Sequence, residues 1–470
     1  MSLLTSLVLA VTPEFQADPA RLLIFSVLGI AFLLFLIMKC KLHALLSILL
    51  TAIFIGLGVG MNLEMILGSI NTGIGSTLQG IALLVGIGSM FGAVLEISGG
   101  AEVIATRLVE TFGEKKAPFA LGLAGLLIGI PVFFDAGLII LIPLAMGIAR
   151  KTKKSVLLYA VPLLAGLSIG HAFIPPTPGP IIVANQLGVD LGLVIMMGIL
   201  CGAVSMVISG PVFGKYIGNK IYVAPTEKEV LPTSDQSTAN NKKLPSLGTV
   251  IAIILIPLVL ILANTATNAL VNNGNTALAT IQPALSFLGT PFVALLISTL
   301  AAMLILGIKN GYTKEELEKV MGKSLAPTGM ILLVTAGGGV LRFIFQDSGI
   351  GNVMGDIVAN NNMPIMLVAF IIAGLIRISV GSATVAMMMA SGIIAAMPIT
   401  ATLSPIQLAC LTMAVAGGST IASHFNDSGF WLVKSLFNID EKTTLKSWTA
   451  LATINGTVGF LVAWIVFIFV

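Results

Sequence analysis

Long runs without a charge, separated by short basic clusters, set the pattern of the chain. "LLIFSVLGIAFLLFLIM" (22–38) and the terminal "LVAWIVFIFV" hold no ionisable residue. Strands of a membrane barrel alternate apolar and polar positions with a period of two, and these runs do not. About 20 such residues span the hydrocarbon core as a helix, and only helices or closed barrels satisfy the backbone there. The pattern predicts an all-α integral membrane protein, a multi-span helical bundle. Composition agrees, with 57% hydrophobic and 9% charged among 470 residues, where a soluble domain carries about a quarter charged. The 50 glycines and 21 prolines point to close helix packing and broken helices.

All of the 24 basic residues except Arg21, Arg342 and Arg377 fall in six clusters: 39–41, 107–116, 150–154, 215–243, 309–323 and 434–446. The loops expected at 61–76, 186–190, 265–286 and 346–362 hold none. Cytoplasmic loops are the basic ones, which puts the N-terminus outside. This loop bias accounts for the net charge of +4, so no nucleic-acid partner is expected. No basic stretch precedes the first apolar run, so no cleaved signal is expected. Cys40, Cys201 and Cys410 show no metal or disulfide spacing, and no cofactor is expected.

The alternation holds only if 117–149 enters and leaves on the cytoplasmic side. That segment is long for one span and short for two. "GIPVFFDAG" (129–137) sits at its middle. A re-entrant hairpin fits, since irregular backbone at membrane depth must be buried in protein or line a wet cavity.

A weak repeat recurs about 250 residues apart. Ser98-Gly99 matches Ser348-Gly349, Ala124-Gly125-Leu126 matches Ala373-Gly374-Leu375, Ala165-Gly166-x-Ser168 matches Ala416-Gly417-x-Ser419, and Asp190 matches Asp440. The basic flanks differ between copies, which predicts two inverted-topology repeats with the site near the midplane. The expected layout is scaffold helices at 1–76, a first repeat at 77–213 (hairpin 117–149, broken helix 155–186) and a cytoplasmic linker at 214–246. Scaffold helices at 247–324 and a second repeat at 325–470 follow (hairpin 364–404, broken helix 405–432). Within this layout "TKEELEKVMGK" (313–323) is expected to be an amphipathic connecting helix.

The breaks are "GHAFIPPTPGP" (170–180), whose prolines cannot continue a helix, and "SHFNDSGFW" (423–431). Ionisable residues inside a membrane mark functional sites by default. Asp135 at the first tip, with Phe134 beside it, is a candidate for substrate or proton, or a structural cap. Asp427 is the same, or the N-cap of a half-helix from Ser428. Arg377 could clamp a carboxylate, snorkel outward, or pair with Asp347; Arg342 reads as structural. His171 and His424 could titrate near neutral pH, or be simply hydrogen-bonded. Gly381, Ser382 and Thr384 at the second tip suit a carboxylate at a half-helix N-terminus. Thr177, with Pro178, and Asn426 could meet substrate hydroxyls. Proton coupling is expected from Asp135, His171 and Asp427.

"FFDAG" (133–137), "PPTPGP" (175–180), "GGG…DSG" (337–349), "GSATVA" (381–386) and "SHFNDSGFW" occur in order along nearly the whole chain. Together they resemble the gluconate permease (gluconate:proton symporter) family of the ion transporter superfamily. The resemblance implies proton-coupled uptake of a small hydroxylated carboxylate across the bacterial inner membrane. The substrate would be gluconate or a related sugar acid, and dimers with a moving transport domain are implied too. Many members resemble "PPHPGP" where this chain has Thr177, and some carry Glu where it has Asp135. Both positions are expected to face one cavity and to tune the substrate. The alternatives are a carrier of glycerate or D-serine, or sodium coupling. A channel is disfavoured by the paired hairpins, and a protease using Asp135 and Asp427 by the absence of any protease motif around them.

Overall fold

The computed structural model describes residues 18–225 and 242–470. Helices α1 (Pro19–Met38), α2 (Ala44–Val59) and α3 (Leu63–Ile97) lead into α4 (Gly100–Gly129), α5 (Phe134–Thr152), α6 (Leu157–Phe173) and α7 (Pro178–Leu187). α8 (Leu191–Val207) continues through a π turn at Ile208–Val212 into α9 (Phe213–Lys220). The second half holds α10 (Leu247–Asn272), α11 (Gln282–Leu288), α12 (Pro291–Ala302), α13 (Lys314–Asp347), α14 (Ile350–Asn360), α15 (Ile365–Val380), α16 (Ala383–Ala395), α17 (Pro405–Thr420) and α18 (Ser428–Phe437). It closes with α19 (Glu441–Thr444), a π turn at Leu445–Thr449 and α20 (Ala450–Phe469). No strand occurs among the described residues. Eight helices among them are long and apolar enough to cross a membrane, as the hydrophobic runs predict.

The residues that match between halves do matching local work. Asp190 caps α8, its Oδ1 accepting from Gly192 N at 2.9 Å. Asp440 caps α19 by accepting from Thr443 N at 2.8 Å. Gly99 and Gly349 end α3 and α13 with φ of 72° and 82°, a left-handed turn that glycine adopts without strain.

The antiparallel pair α3 and α13 forms the spine. Ser69 Oγ donates to Asp347 Oδ2 at 2.5 Å near one end and Ser89 Oγ to the Ser324 carbonyl at 2.9 Å near the other. Between them Gly73 lies against the backbone of Gly339 and Val340. The divisions expected at 76 and 324 fall inside these two helices. Likewise 313–323 is no separate connector but the first turns of α13, started by a capping box between Thr313 and Glu316. That helix runs on through Pro327 to Asp347. The expected loops 61–76, 265–286 and 346–362 are partly helical for the same reason: absence of basic residues marks a side of the membrane, not a loss of helix. Of the expected linker, 214–220 belongs to α9, and 226–241 lies outside the described residues.

Around the spine sit two helical hairpins and two interrupted helices. Gly113, with φ 73° and ψ 171°, divides α4, so the first hairpin's arms are 114–129 and α5. The second hairpin is α15 and α16. α6 and α7 are separated at 174–177, and α17 and α18 at 421–427. Each interrupted helix packs on its hairpin through glycines. Gly125 and Gly129 of α4 meet the backbone of α6, and Gly418 of α17 meets the Phe370 carbonyl of α15.

Candidate functional site

Both hairpin tips and the second break line one cavity of about 380 Å³. The first tip forms because Pro131 cannot extend α4 and Phe133 begins α5 in extended backbone. The Phe133 ring packs 5.8 Å from the His171 ring, and the Phe134 ring lies tilted 5.0 Å from that of Trp448. Asp135, in the first turn of α5, is exposed to the cavity and receives no hydrogen bond from the described residues.

At the second tip, α15 ends on Gly381 with φ of 83° and Ser382 caps α16. The Asn426 carbonyl presses on Gly381 where any side chain would sit. Asn426 Nδ2 in turn donates to the Ile378 carbonyl at 2.6 Å. Arg377, 4% exposed, donates through one terminal nitrogen to the Gly381 carbonyl and through the other to Asp427 Oδ2. Its Nε has no partner. Asp427 divides its oxygens. Oδ1 accepts from Gly429 N at 3.0 Å and caps α18, while Oδ2 takes Arg377 and the Ser423 hydroxyl. Ser423 Oγ also accepts from Trp448 Nε1 at 2.6 Å. Trp448 thereby links the first tip, through Phe134, to the second break.

Nine of the candidate residues line this cavity: Phe134, Asp135, His171, Arg377, Gly381, Ser382, Thr384, Asn426 and Asp427. Three do not. Thr177 and Pro178 border a separate cavity of about 10 Å³, together with Phe133, so the expectation that Thr177 and Asp135 share one space is overturned. The break leaves the Ile174 carbonyl without a helical donor, and Thr177 Oγ1 turns to it at 2.9 Å. The start of α7 then packs on α16, Gly179 lying against Met387. His424 Nδ1 sits 2.9 Å from the Ala422 carbonyl, its ring beside Phe425. Arg377 pairs with Asp427, not Asp347, whose Oδ2 accepts from Ser69.

Ser168, Thr420 and Trp448 also line the cavity, and Ser423 buttresses it, none of them legible as site residues. Ser168 was visible only as part of a repeated motif. Trp448 lies beside the last basic cluster, and its approach to Ser423 is a tertiary contact with no local signal.

Residues 21–470 match the family described as GntP family permease. Over 448 residues the chain is 36% identical to the low-affinity gluconate transporter of Escherichia coli K12, with 95% of this chain and 98% of that protein covered. It is 34% identical to the gluconate permease of Pseudomonas aeruginosa, covering 95% and 97%. It is also 34% identical to the Gnt-II system L-idonate transporter of Escherichia coli K12, covering 93% and 97%. Among solved structures the Alcanivorax borkumensis YdaH transporter is similar in fold, with a TM-score of 0.59 at 15% identity over 84% of this chain and 86% of that one. Neisseria gonorrhoeae MtrF gives 0.57 at 16%, over 85% and 84%. At such identities the likeness is one of fold alone. Matched from Arg21 to its last residue and a third identical to these relatives, this multi-pass helical chain belongs to the GntP permease family.

Proposed function

We propose that this protein imports a sugar acid, gluconate or a close relative, together with a proton, by exposing its central cavity alternately to the two sides of a bacterial inner membrane. One observation carries the reading. Three half-helices, α5, α16 and α18, start at the same cavity. The first turn of a helix leaves N–H groups unsatisfied and carries partial positive charge. α5 and α18 already hold carboxylates there, Asp135 and Asp427; α16 starts with Ser382, Ala383 and Thr384 and has none. That terminus, with Arg377 in the same tip, is the seat for a substrate carboxylate. Ser168, Thr420 and Asn426 offer polar groups for hydroxyls.

The charges argue for proton coupling. With His171 neutral, Asp135, Asp427 and Arg377 leave the cavity one negative charge. A bound monoanion would add another in a low-dielectric space, where like charges repel strongly. One proton taken up with each anion restores the balance. The relatives' names supply the substrate class, and the 380 Å³ volume suits a small ligand.

Purified protein in liposomes is expected to accumulate gluconate or L-idonate under an inward proton gradient, and a proton ionophore should abolish accumulation. Accumulation that follows an imposed sodium gradient at fixed pH would replace the proton by sodium. Uptake of neither sugar acid would sink the substrate reading.

The basic clusters support a further part of this reading, with the hairpin ends on opposite faces and the N-terminus outside. Lys153 at the end of α5 and Asn361 after α14 are both exposed. In otherwise cysteine-free protein, cysteines there should react with an impermeant maleimide from the inside and the outside respectively. Labelling of both from one side would remove the inverted arrangement.

A further inference from the structure

We propose that Asp427 is a built-in competitor for the substrate: it occupies the substrate carboxylate's place on Arg377, and it takes up the coupled proton when displaced. This inference rests on the sugar-acid reading of the same cavity and assigns the exchange within it.

The geometry supplies each part. Arg377 is almost wholly buried, yet it lines the cavity and keeps its Nε unpartnered. A guanidinium presents a fork suited to two-point recognition of a carboxylate. In this structure one prong is spent on the Gly381 carbonyl and the other on Asp427. Asp427 is tied down independently, because Oδ1 caps α18 through Gly429 N. It can therefore lose Arg377 without unwinding that helix. The cost falls on Oδ2. Without Arg377 it keeps only the Ser423 hydroxyl, as a half-buried carboxylate near a second one. The charged groups that share the cavity with Asp427 are Arg377 from α15 and Asp135 from α5, with His171 from α6. His424, on its own segment, is engaged with Ala422, and Lys434 of α18 pairs with Glu441 at 3.0 Å. None of these replaces Arg377 as a cation. A proton on Oδ2 does, turning an acceptor into a neutral acid that can donate a hydrogen bond.

The exchange is balanced. The substrate carboxylate gains the ion pair, Asp427 gains one proton, and the net charge of the cavity is unchanged. Binding of the anion is then coupled to proton uptake by competition for a single arginine. Release on the other side runs in reverse: Asp427 loses its proton, recovers Arg377 and expels the substrate.

The test is gluconate binding and uptake as a function of pH. Wild-type affinity should rise as pH falls. In Asp427→Asn, which keeps a side chain that caps helices well, the competitor is gone. Affinity at pH 7.5 should increase about tenfold, the gain for freeing a charged hydrogen bond, and should stay flat with pH. Exchange of gluconate should persist while proton-driven accumulation is lost. In Asp135→Asn, Asp427 and Arg377 still compete, so a slope with pH should remain even where its position moves with the lost charge. Ser423→Ala removes the other donor to Oδ2, favours the protonated acid, and should move the pH profile of wild-type-like uptake upward. It provides a second reading if the Asp427→Asn protein does not fold. Weakened binding in D427N, a retained pH slope in it, an unmoved profile in S423A, or a slope abolished by D135N alone would overturn the assignment. A wild-type protein that binds neither gluconate nor L-idonate would instead remove the sugar-acid reading, and this inference with it.

Discussion

Replacing Arg377 by glutamine is expected to cost about 3–5 kcal/mol of stability at pH 7.5, the usual loss when one partner of a buried ion pair is removed, and to abolish uptake. The cation is 4% exposed and fastens two elements at once. It ties the end of α15 to its own tip through the Gly381 carbonyl and to the start of α18 through Asp427. Without it, the Asp427 carboxylate stays at a half-helix N-terminus with only Ser423 and the Gly429 amide to satisfy it.

The double variant R377Q/D427N should recover most of the stability, since it removes both charges together, but it should not recover transport. Lysine at 377 should recover stability only in part, because an ammonium cannot reach the Gly381 carbonyl and Asp427 with the fork of a guanidinium. Equilibrium unfolding in mixed micelles at pH 7.5 reads these variants beside wild type and the single variant D427N. Additive losses in the double variant would show that Arg377 and Asp427 are energetically independent, and the pair could no longer be the latch of the second tip.

How much of this was legible in the chain depends on the range of the interaction that decides each feature. The spans follow from solvent alone, because a charge-free run has no stable alternative in lipid. The two tips and two breaks follow from local chemistry. Pro131 and the Pro175-Pro176 pair cannot extend the helices before them, Gly381 takes a left-handed turn that suits glycine, and Asp427 and Ser382 are good caps. Such signals need no knowledge of the rest of the fold.

What could not be read was the partner across space. Arg377 had three open fates, and the choice of Asp427 is made by how α15 lies against the α17–α18 break. Thr177 carried a tempting polar side chain in a conspicuous motif, but the orphaned Ile174 carbonyl three residues earlier claimed it. A threonine hydroxyl beside a broken helix is more strongly drawn to local backbone than to a distant cavity. Trp448 was missed because its two contacts, with Phe134 and Ser423, join segments that are far apart in the chain.

The close approach of α4 and α6 gives the other large effect, and its sign is the informative part. An alanine in place of a helical glycine is ordinarily stabilising by about 0.5–1 kcal/mol. Gly147 of α5 is exposed with nothing near its missing side chain, and Gly147→Ala should be neutral or stabilising. Gly170→Ala should do the opposite. A Cβ there would lie 2.6 Å from the Leu126 carbonyl oxygen and 2.8 Å from the Gly129 carbonyl carbon. Both are backbone atoms, so no side chain can rotate away, and α6 must move off α4. Overpacking of this kind costs about 1–3 kcal/mol. In a membrane there is little hydrophobic force to hold separated helices together, because lipid is as apolar as the interface.

The displacement should be felt at the site as well. Gly170 immediately precedes His171, and Gly129 is the last residue of the arm that ends in the first tip. Pushing these two apart shifts Asp135 and Phe134 relative to the α15–α16 tip. Gly170→Ala is therefore expected to lower the unfolding midpoint and to cut the rate of gluconate uptake by at least tenfold, the penalty expected for a misplacement of about 1 Å. Gly170→Leu should fail to accumulate as folded protein. Thermal unfolding and initial uptake rates of G147A and G170A, made side by side, decide the matter. Equal behaviour of the two alanines would mean that the α4–α6 contact is not tight in the membrane and does not set the position of the first tip.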